Sequence, residues 1–315
     1  MRNFVYFFIV CLVLTGCKYK TKHREVLTSR IDYNVLINNP DIDKKYWVQN
    51  IEGAKRYEMY DRFKQAALNN NSLYDCYNNN IISKELINKM FQANDTARIS
   101  FNYKLLNHLR FSEKWLYNAS KGDFEKIVYS LGFVKTIDSS LFPLFCIRFD
   151  TNFVDEKKYI LIDKIQYDVF IKNPENNFEW YEQNIENPGR IKYVETLIKN
   201  VLGGKIKLYD YFNESLSAEK FKKEHYFSDT LTFQNPNPPF NNYDTIFNHS
   251  LEIENIVKLR FLEEWSIGEK SGKFYKRVLG INPMLVKYNE NGEIKGYMPL
   301  FWIYFDKSLP GRIKT

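Results

Sequence analysis

The chain has 315 residues, 44% of them apolar and 17% aromatic, with a formal net charge of +7. Length and apolar content together exclude a disordered chain, and so mild a charge gives no footprint for nucleic acid as a partner. The aromatic load suits packed sheets or an interface.

Met1-Arg2-Asn3 is followed by an apolar run from Phe4 to Val13 and then by Leu14-Thr15-Gly16-Cys17. Ten apolar residues are too few to span a bilayer, which needs about 20, so residues 1–16 read as an export signal peptide. Small residues just before a cysteine are what a lipoprotein signal peptidase requires, and the segment resembles a bacterial lipobox. The expected mature chain is a lipoprotein that begins at an acylated Cys17, the lipidation site, where several acyl chains such as palmitate anchor stably and one would be marginal. Lys18 stands where Asp would favour the inner membrane, which points to the outer membrane with the protein facing the periplasm. Losing Arg2 leaves a charge of +6 (7 − 1). Residues 17–29 form a basic tether, in which Lys18, Lys20, Lys22 and Arg24 either stay solvated or feel an anionic lipid surface.

Arg30 to Ile37 alternates as a strand and ends at Pro40 and Asp41-Ile42-Asp43. A stretch through Trp47 leads to a helix from Lys55 to Asn69, with Tyr57, Tyr60, Phe63, Lys64 and Ala67 at helical spacing. Leu73 to Tyr77 reads as a strand, and Ser83 to Ala93 as a helix with Glu85 in its first turn. Further on, Arg190 to Leu202 is a clear helix: Ile191, Val194, Leu197, Ile198 and Val201 share a face, and Gly203-Gly204 ends it. Lys205 to Phe212 alternates as a strand, and Ser217 to His225 is a second helix. Three long apolar strands follow, Ile256 to Trp265, Lys273 to Tyr288 and Gly296 to Phe305, the last two joined by the turn Asn289-Glu290-Asn291-Gly292-Glu293.

The chain also repeats itself. Pro143-Leu144-Phe145-Cys146-Ile147-Arg148-Phe149-Asp150 returns as Pro299-Leu300-Phe301-Trp302-Ile303-Tyr304-Phe305-Asp306, with six of eight positions kept. A run apolar on both faces reads as a central, doubly covered strand. The tetrapeptide Gln49-Asn50-Ile51-Glu52 returns unchanged as Gln183-Asn184-Ile185-Glu186, and Tyr33 aligns with Tyr167, both at an offset of 134 (183 − 49 and 167 − 33). Later Arg110, Glu113 and Trp115 return as Arg260, Glu263 and Trp265 at 150, and Leu131-Gly132 as Leu279-Gly280 at 148. The growth in offset places an insertion around Gln234 to Asn242, where three prolines and four asparagines make a loop.

The expected fold class is therefore α+β: two tandem repeats of a β-α-β-α-β-β-β unit, each an antiparallel or mixed sheet with helices on one face. Residues 30–152 and 160–306 form the two domains, and 307–315 a tail. Cys76 and Cys146 lie in the first, either bridged, as a periplasmic address permits, or buried as small apolar thiols.

Glu263-Glu264-Trp265, Arg277 to Pro283, Asn289 to Glu293 and Gly296 to Phe305 resemble the gliding-motility protein GldN and its counterpart PorN, and Arg30-Ile31-Asp32 with Asn38 and Pro40 looks like the opening of the same domain. The resemblance implies a periplasmic scaffold of the type IX secretion and gliding machinery that assembles with a ring lipoprotein. A duplicated, self-anchored chain departs from that family's usual form.

None of His23, His108, His225 and His249 recurs, and His108 aligns with Lys258. No nucleophile elbow, zinc-protease or phosphate-loop pattern occurs, so no catalytic residue, cofactor or metal site is expected and the chain is not read as an enzyme. Arg110 with Glu113 and Arg260 with Glu263 read either as structural ion pairs or as carboxylates held for acid-base work. The recurring Trp115 and Trp265 read as core or as a binding platform. Trp265, Trp302 and Tyr304 are the candidate interaction residues, because Trp302 and Tyr304 replace Cys146 and Arg148 of the first copy. Two functions remain: assembly with envelope proteins, or binding of a glycan or peptide through Phe233, Phe240 and Tyr243.

Overall fold

The long strands of the main sheet form where buried apolar side chains alternate with more exposed ones. In β1 (Glu25–Leu36), Ile31, Tyr33 and Val35 point into the core. The computed structural model describes residues 24–39, 48–69, 73–92, 106–119, 122–137, 140–152, 155–173, 181–306 and 308–309. The signal peptide, Cys17 and most of the tether lie outside the described residues, as do Pro40 to Trp47 and the end of the tail.

After β1 the first half continues with α1 (Gly53–Asn69), β2 (Leu73–Tyr74), α2 (Lys84–Gln92), β3 (Leu106–Tyr117), β4 (Phe124–Ile137) and β5 (Ser140–Arg148). The second half begins with β6 (Lys158–Phe170), α3 (Gly189–Leu202), β7 (Leu208–Tyr209), β8 (Ser215–Leu216) and α4 (Ala218–His225). It ends with β9 (Phe227–Gln234), β10 (Asn242–His249), β11 (Ile256–Gly268), β12 (Phe274–Tyr288), β13 (Ile294–Pro299) and β14 (Ile303–Tyr304). The class is α+β with antiparallel sheets. Helix starts follow local chemistry: Ser217 accepts the Lys220 N–H at 3.1 Å at the head of α4, and Ser83 the Leu86 N–H at 3.2 Å before α2.

Both halves enter one ten-stranded sheet whose main path runs β1-β3-β4-β12-β11-β6. They join where β4 meets β12, at the single pair Lys126 and Lys276. At the far ends the sheet curls until β1 and β6 approach, and Tyr33 stacks on Tyr167 with ring centroids 6.1 Å apart. The echoed tetrapeptide completes that junction. Gln49 donates its N–H to Gln166 O of β6, while Gln183 donates to Asp32 O of β1, so each half reaches into the other. Both glutamines sit in the left-handed region, at φ 48° and 46°, which non-glycine residues rarely adopt. One continuous core cluster takes in residues of both halves.

Four expectations change. The two halves do not each form a sheet of their own but share one, because β4 pairs with β12 and the apolar faces of both halves enter one core. The closing strand is neither continuous nor central: Leu300 to Trp302 separate β13 from β14, because Trp302 turns its backbone to Tyr209 of β7, exchanging bonds of 2.7 and 3.0 Å. The central place belongs to β4 and β12. The strands foreseen from Leu73 and Lys205 are two residues each, because Asp75 and Asp210 turn the chain by accepting backbone N–H groups two to four residues on. The insertion is more than a loop: β9 and β10 form a separate two-stranded hairpin around it.

Candidate functional site

The recurring carboxylates meet at the centre of the molecule. Glu113 lies on β3 and Glu263 on β11, each in period-two step with the buried Phe111 and Trp115 or Phe261 and Trp265, so each carboxylate points inward beside the Trp two residues on. The extra residue of the register shift beside each belongs to the facing strand, Tyr129 of β4 and Leu279 of β12. Glu113 Oε2 accepts the Tyr33 hydroxyl at 2.6 Å and the Trp115 indole N–H at 2.7 Å; Glu263 Oε2 accepts Tyr167 at 2.6 Å and Trp265 at 2.8 Å.

The cations come from the opposite half. Lys126 Nζ lies 2.8 Å from Glu263 Oε1, and Lys276 Nζ lies 2.7 Å from Glu113 Oε1, with all four side chains fully buried. Each ammonium also donates to both tyrosine hydroxyls at 3.1–3.3 Å. Each faces an aromatic ring as well, Lys126 over Phe261 at 3.2 Å and Lys276 over Phe111 at 3.1 Å. Burial lowers Lys276 to about 8, against the pull of Glu113 and Glu263. Burial works to raise Glu263, but the two ammoniums outweigh it and hold the carboxyl below its ordinary value. Tyr33 and Tyr167 are driven well above theirs, by burial first and then by the carboxylates. Two positive and two negative charges thus cancel inside a sealed ring. Glu113 and Glu263 are therefore ion-pair carboxylates, though with Lys276 and Lys126 rather than with the expected Arg110 and Arg260.

The arginines lie away from this ring, Arg110 buried and Arg260 half-buried. Arg110 grips Glu182 of the other half with bonds of 3.1 and 2.6 Å, and Arg260 grips Asp168 at 2.6 and 3.0 Å. The cysteines of the first half are joined, Cys76 to Cys146, with Cα atoms 5.1 Å apart. The bridge crowds the first of the repeated glycines, and an aromatic ring crowds the second. A Cβ on Gly132 would stand 2.6 Å from Cys146 Sγ, and one on Gly280 would stand 2.8 Å from Cδ1 of Tyr304. A cavity of about 210 Å³ lies beside the disulfide, lined by Arg30, Arg110 and Arg148 among others. Two of these guanidiniums are already matched, Arg30 by Asp32 and Arg110 by Glu182.

Of the candidate interaction residues, Trp265 is core and fully buried. Trp302 stacks on Tyr304 at 5.4 Å in a small cluster with Tyr209, Leu262, Leu279 and Leu309, and is buried too. Tyr304 alone keeps partial exposure, its hydroxyl bonded to Asn213 Oδ1. Single exposed apolar side chains such as Ile81 and Phe212 lie elsewhere, and a contiguous group lies on the β9–β10 hairpin, where Phe227, Leu231, Phe233, Tyr243 and Phe247 are each at least 40% exposed. Their signal was readable as alternation in Phe227 to Phe233 and Tyr243 to His249. Phe240, at the hairpin tip, is 53% exposed. Among the described residues no three His, Cys, Asp or Glu side chains gather as a metal site.

The model of the family described as gliding motility associated protein GldN matches residues 154–310, which run from just before β6 to just past β14. No curated protein matches the chain.

Proposed function

The chain belongs to the GldN family, by the match over its second half, and from that premise we propose that it is a non-enzymatic scaffold lipoprotein of the type IX secretion and gliding machinery. It is anchored at Cys17 in the outer membrane, faces the periplasm, and acts by assembling with envelope proteins, a ring lipoprotein among them. The two halves are copies of one GldN-like unit, packed as a covalently joined pair. The observation that carries this reading is the fate of the recurring ionisable residues: Glu113, Glu263, Lys126 and Lys276 are consumed in holding the halves together, while apolar side chains are left exposed on the hairpin. That division of labour suits a rigid body with a surface for partners.

The test is chemical cross-linking of intact cells, followed by purification of the tagged protein from outer membranes. Recovery with the ring lipoprotein or motor components of the type IX machinery supports the scaffold. Recovery alone, or with a sugar or peptide transporter, contradicts it. Cys17→Ser separates the anchor from the rest: the variant is expected to lose acyl label and leave the membrane fraction. A Tyr304→Asp variant that folds and still assembles would remove Tyr304 from the partner surface.

A further inference from the structure

The β9–β10 hairpin stands off the main sheet, pairing only with itself over eight residues per strand. Cross-strand partners share a face, so Phe227, Leu231 and Phe233 lie on the same side as Tyr243 and Phe247. On that side Phe233 stacks on Tyr243 at 5.9 Å, and Phe227 on His249 at 4.5 Å. The opposite side is mainly polar, with Ser228 bonded to Asn248 at 2.7 Å and Thr232 to Asp244 at 2.6 Å. A lone two-stranded hairpin is marginal in water, so an uncovered aromatic face of this kind calls for something to cover it.

Charge says what. The hairpin holds Asp229 and Asp244 and no Lys or Arg, a net charge of −2 against +9 (7 + 2) for the rest of the chain. Asp229 sits within the aromatic face, opposite Phe247, with only the half-exposed His249 at 3.2 Å beside it. Covering that face buries the carboxylate, which needs a cation when water leaves. We propose that the aromatic face of this hairpin docks a partner protein whose apolar patch carries an arginine or lysine opposite Asp229. An anionic lipid surface is disfavoured by the missing cations. A second copy's hairpin is disfavoured by like charge, and by size: a ribbon about 27 Å long covers far less than the roughly 800 Å² per side of a stable interface. The hairpin is therefore one anchor of a larger contact.

The inference rests on the assembly reading and is tested separately from it. A photo-cross-linking residue is placed at Leu231, on the aromatic face, and in a second strain at Thr230, on the polar face, in the full-length chain in intact cells. The expected result is a discrete protein adduct from position 231, at least tenfold weaker from 230, with a Lys or Arg in or beside the partner's cross-linked peptide. Asp229→Lys should reduce the adduct at least tenfold, and changing that partner cation to Glu should restore it. Phospholipid adducts, adducts only between two copies' hairpins, equal adducts from both faces, or none would overturn the proposal. Recovery of type IX proteins without a Leu231 adduct overturns the docking face alone; a Leu231 adduct to a protein outside that machinery overturns the machinery alone.

Discussion

Removing one charge from the central ring tests whether it binds half to half. In Glu263→Gln the side chain keeps its shape and still accepts the Tyr167 hydroxyl and the Trp265 N–H, but the charge 2.8 Å from Lys126 Nζ is gone. A fully buried ammonium that loses its counter-charge costs about 3–5 kcal/mol. Lys126→Met removes the other member and leaves Glu263 unpaired, at a similar cost. The double variant strands neither charge, so its loss should fall short of the sum by about 2–3 kcal/mol. Urea unfolding followed by tryptophan fluorescence reads this well, because Trp115 and Trp265 both donate to the carboxylates. With a slope of about 3 kcal/mol per molar urea, each single variant lowers the midpoint by about 1–1.7 M. The same cycle run on Lys126 with Glu113, the carboxylate of its own half, should give a smaller coupling. Additive losses for Lys126 and Glu263, or a larger coupling within a half, would refute the crossed pairing.

Replacing Cys76 and Cys146 by alanine opens a loop whose ends are 70 residues apart, and should cost about 4 kcal/mol, read as the gap between unfolding midpoints of the variant and the oxidised wild type. Gly280→Ala should destabilise by about 1–3 kcal/mol, because its Cβ meets both the Tyr304 ring and the Ile303 carbonyl; an unchanged melting temperature would contradict the packing. Burial lowers Lys258, Lys273 and Lys276, the last to about 8. Between about pH 8 and 10 the unfolded chain therefore binds more protons than the folded one, and stability should rise, by at most about 1.4 kcal/mol per pH unit for Lys276. Above about pH 10 it should fall, since Tyr33 and Tyr167 are raised when folded and ionise first in the unfolded chain. Denaturant midpoints across pH 7–11 check both limbs, and a flat or falling lower limb would contradict the buried lysines.

Strands and helices were legible where period and punctuation agreed: the face of α3 and the Gly203 stop follow from residue type alone. The closing strand misled because Pro299 to Phe305 is apolar throughout, and apolarity says nothing of where the backbone bonds go. Trp302 bonds to Tyr209, some 90 residues earlier. The recurrence of Glu113 and Trp115 was visible, but their partner was not. Lys126 and Lys276 become partners of the opposite carboxylates only because β4 meets β12, a long-range pairing that no local pattern carries. The hairpin is masked by its own loop: Pro236 to Pro239 mark an insertion, and the period-two alternation flanking them is only eight residues long on each side.

The most direct test of the account is type IX secretion in cells that lack this protein. Deleting it should leave type IX cargo in the periplasm. Restoring the wild-type chain should return the cargo to the medium, while a chain with Phe233, Tyr243 and Phe247 changed to serine, folded and anchored, should not. Normal secretion and gliding in the deletion strain would contradict a scaffold role in that machinery.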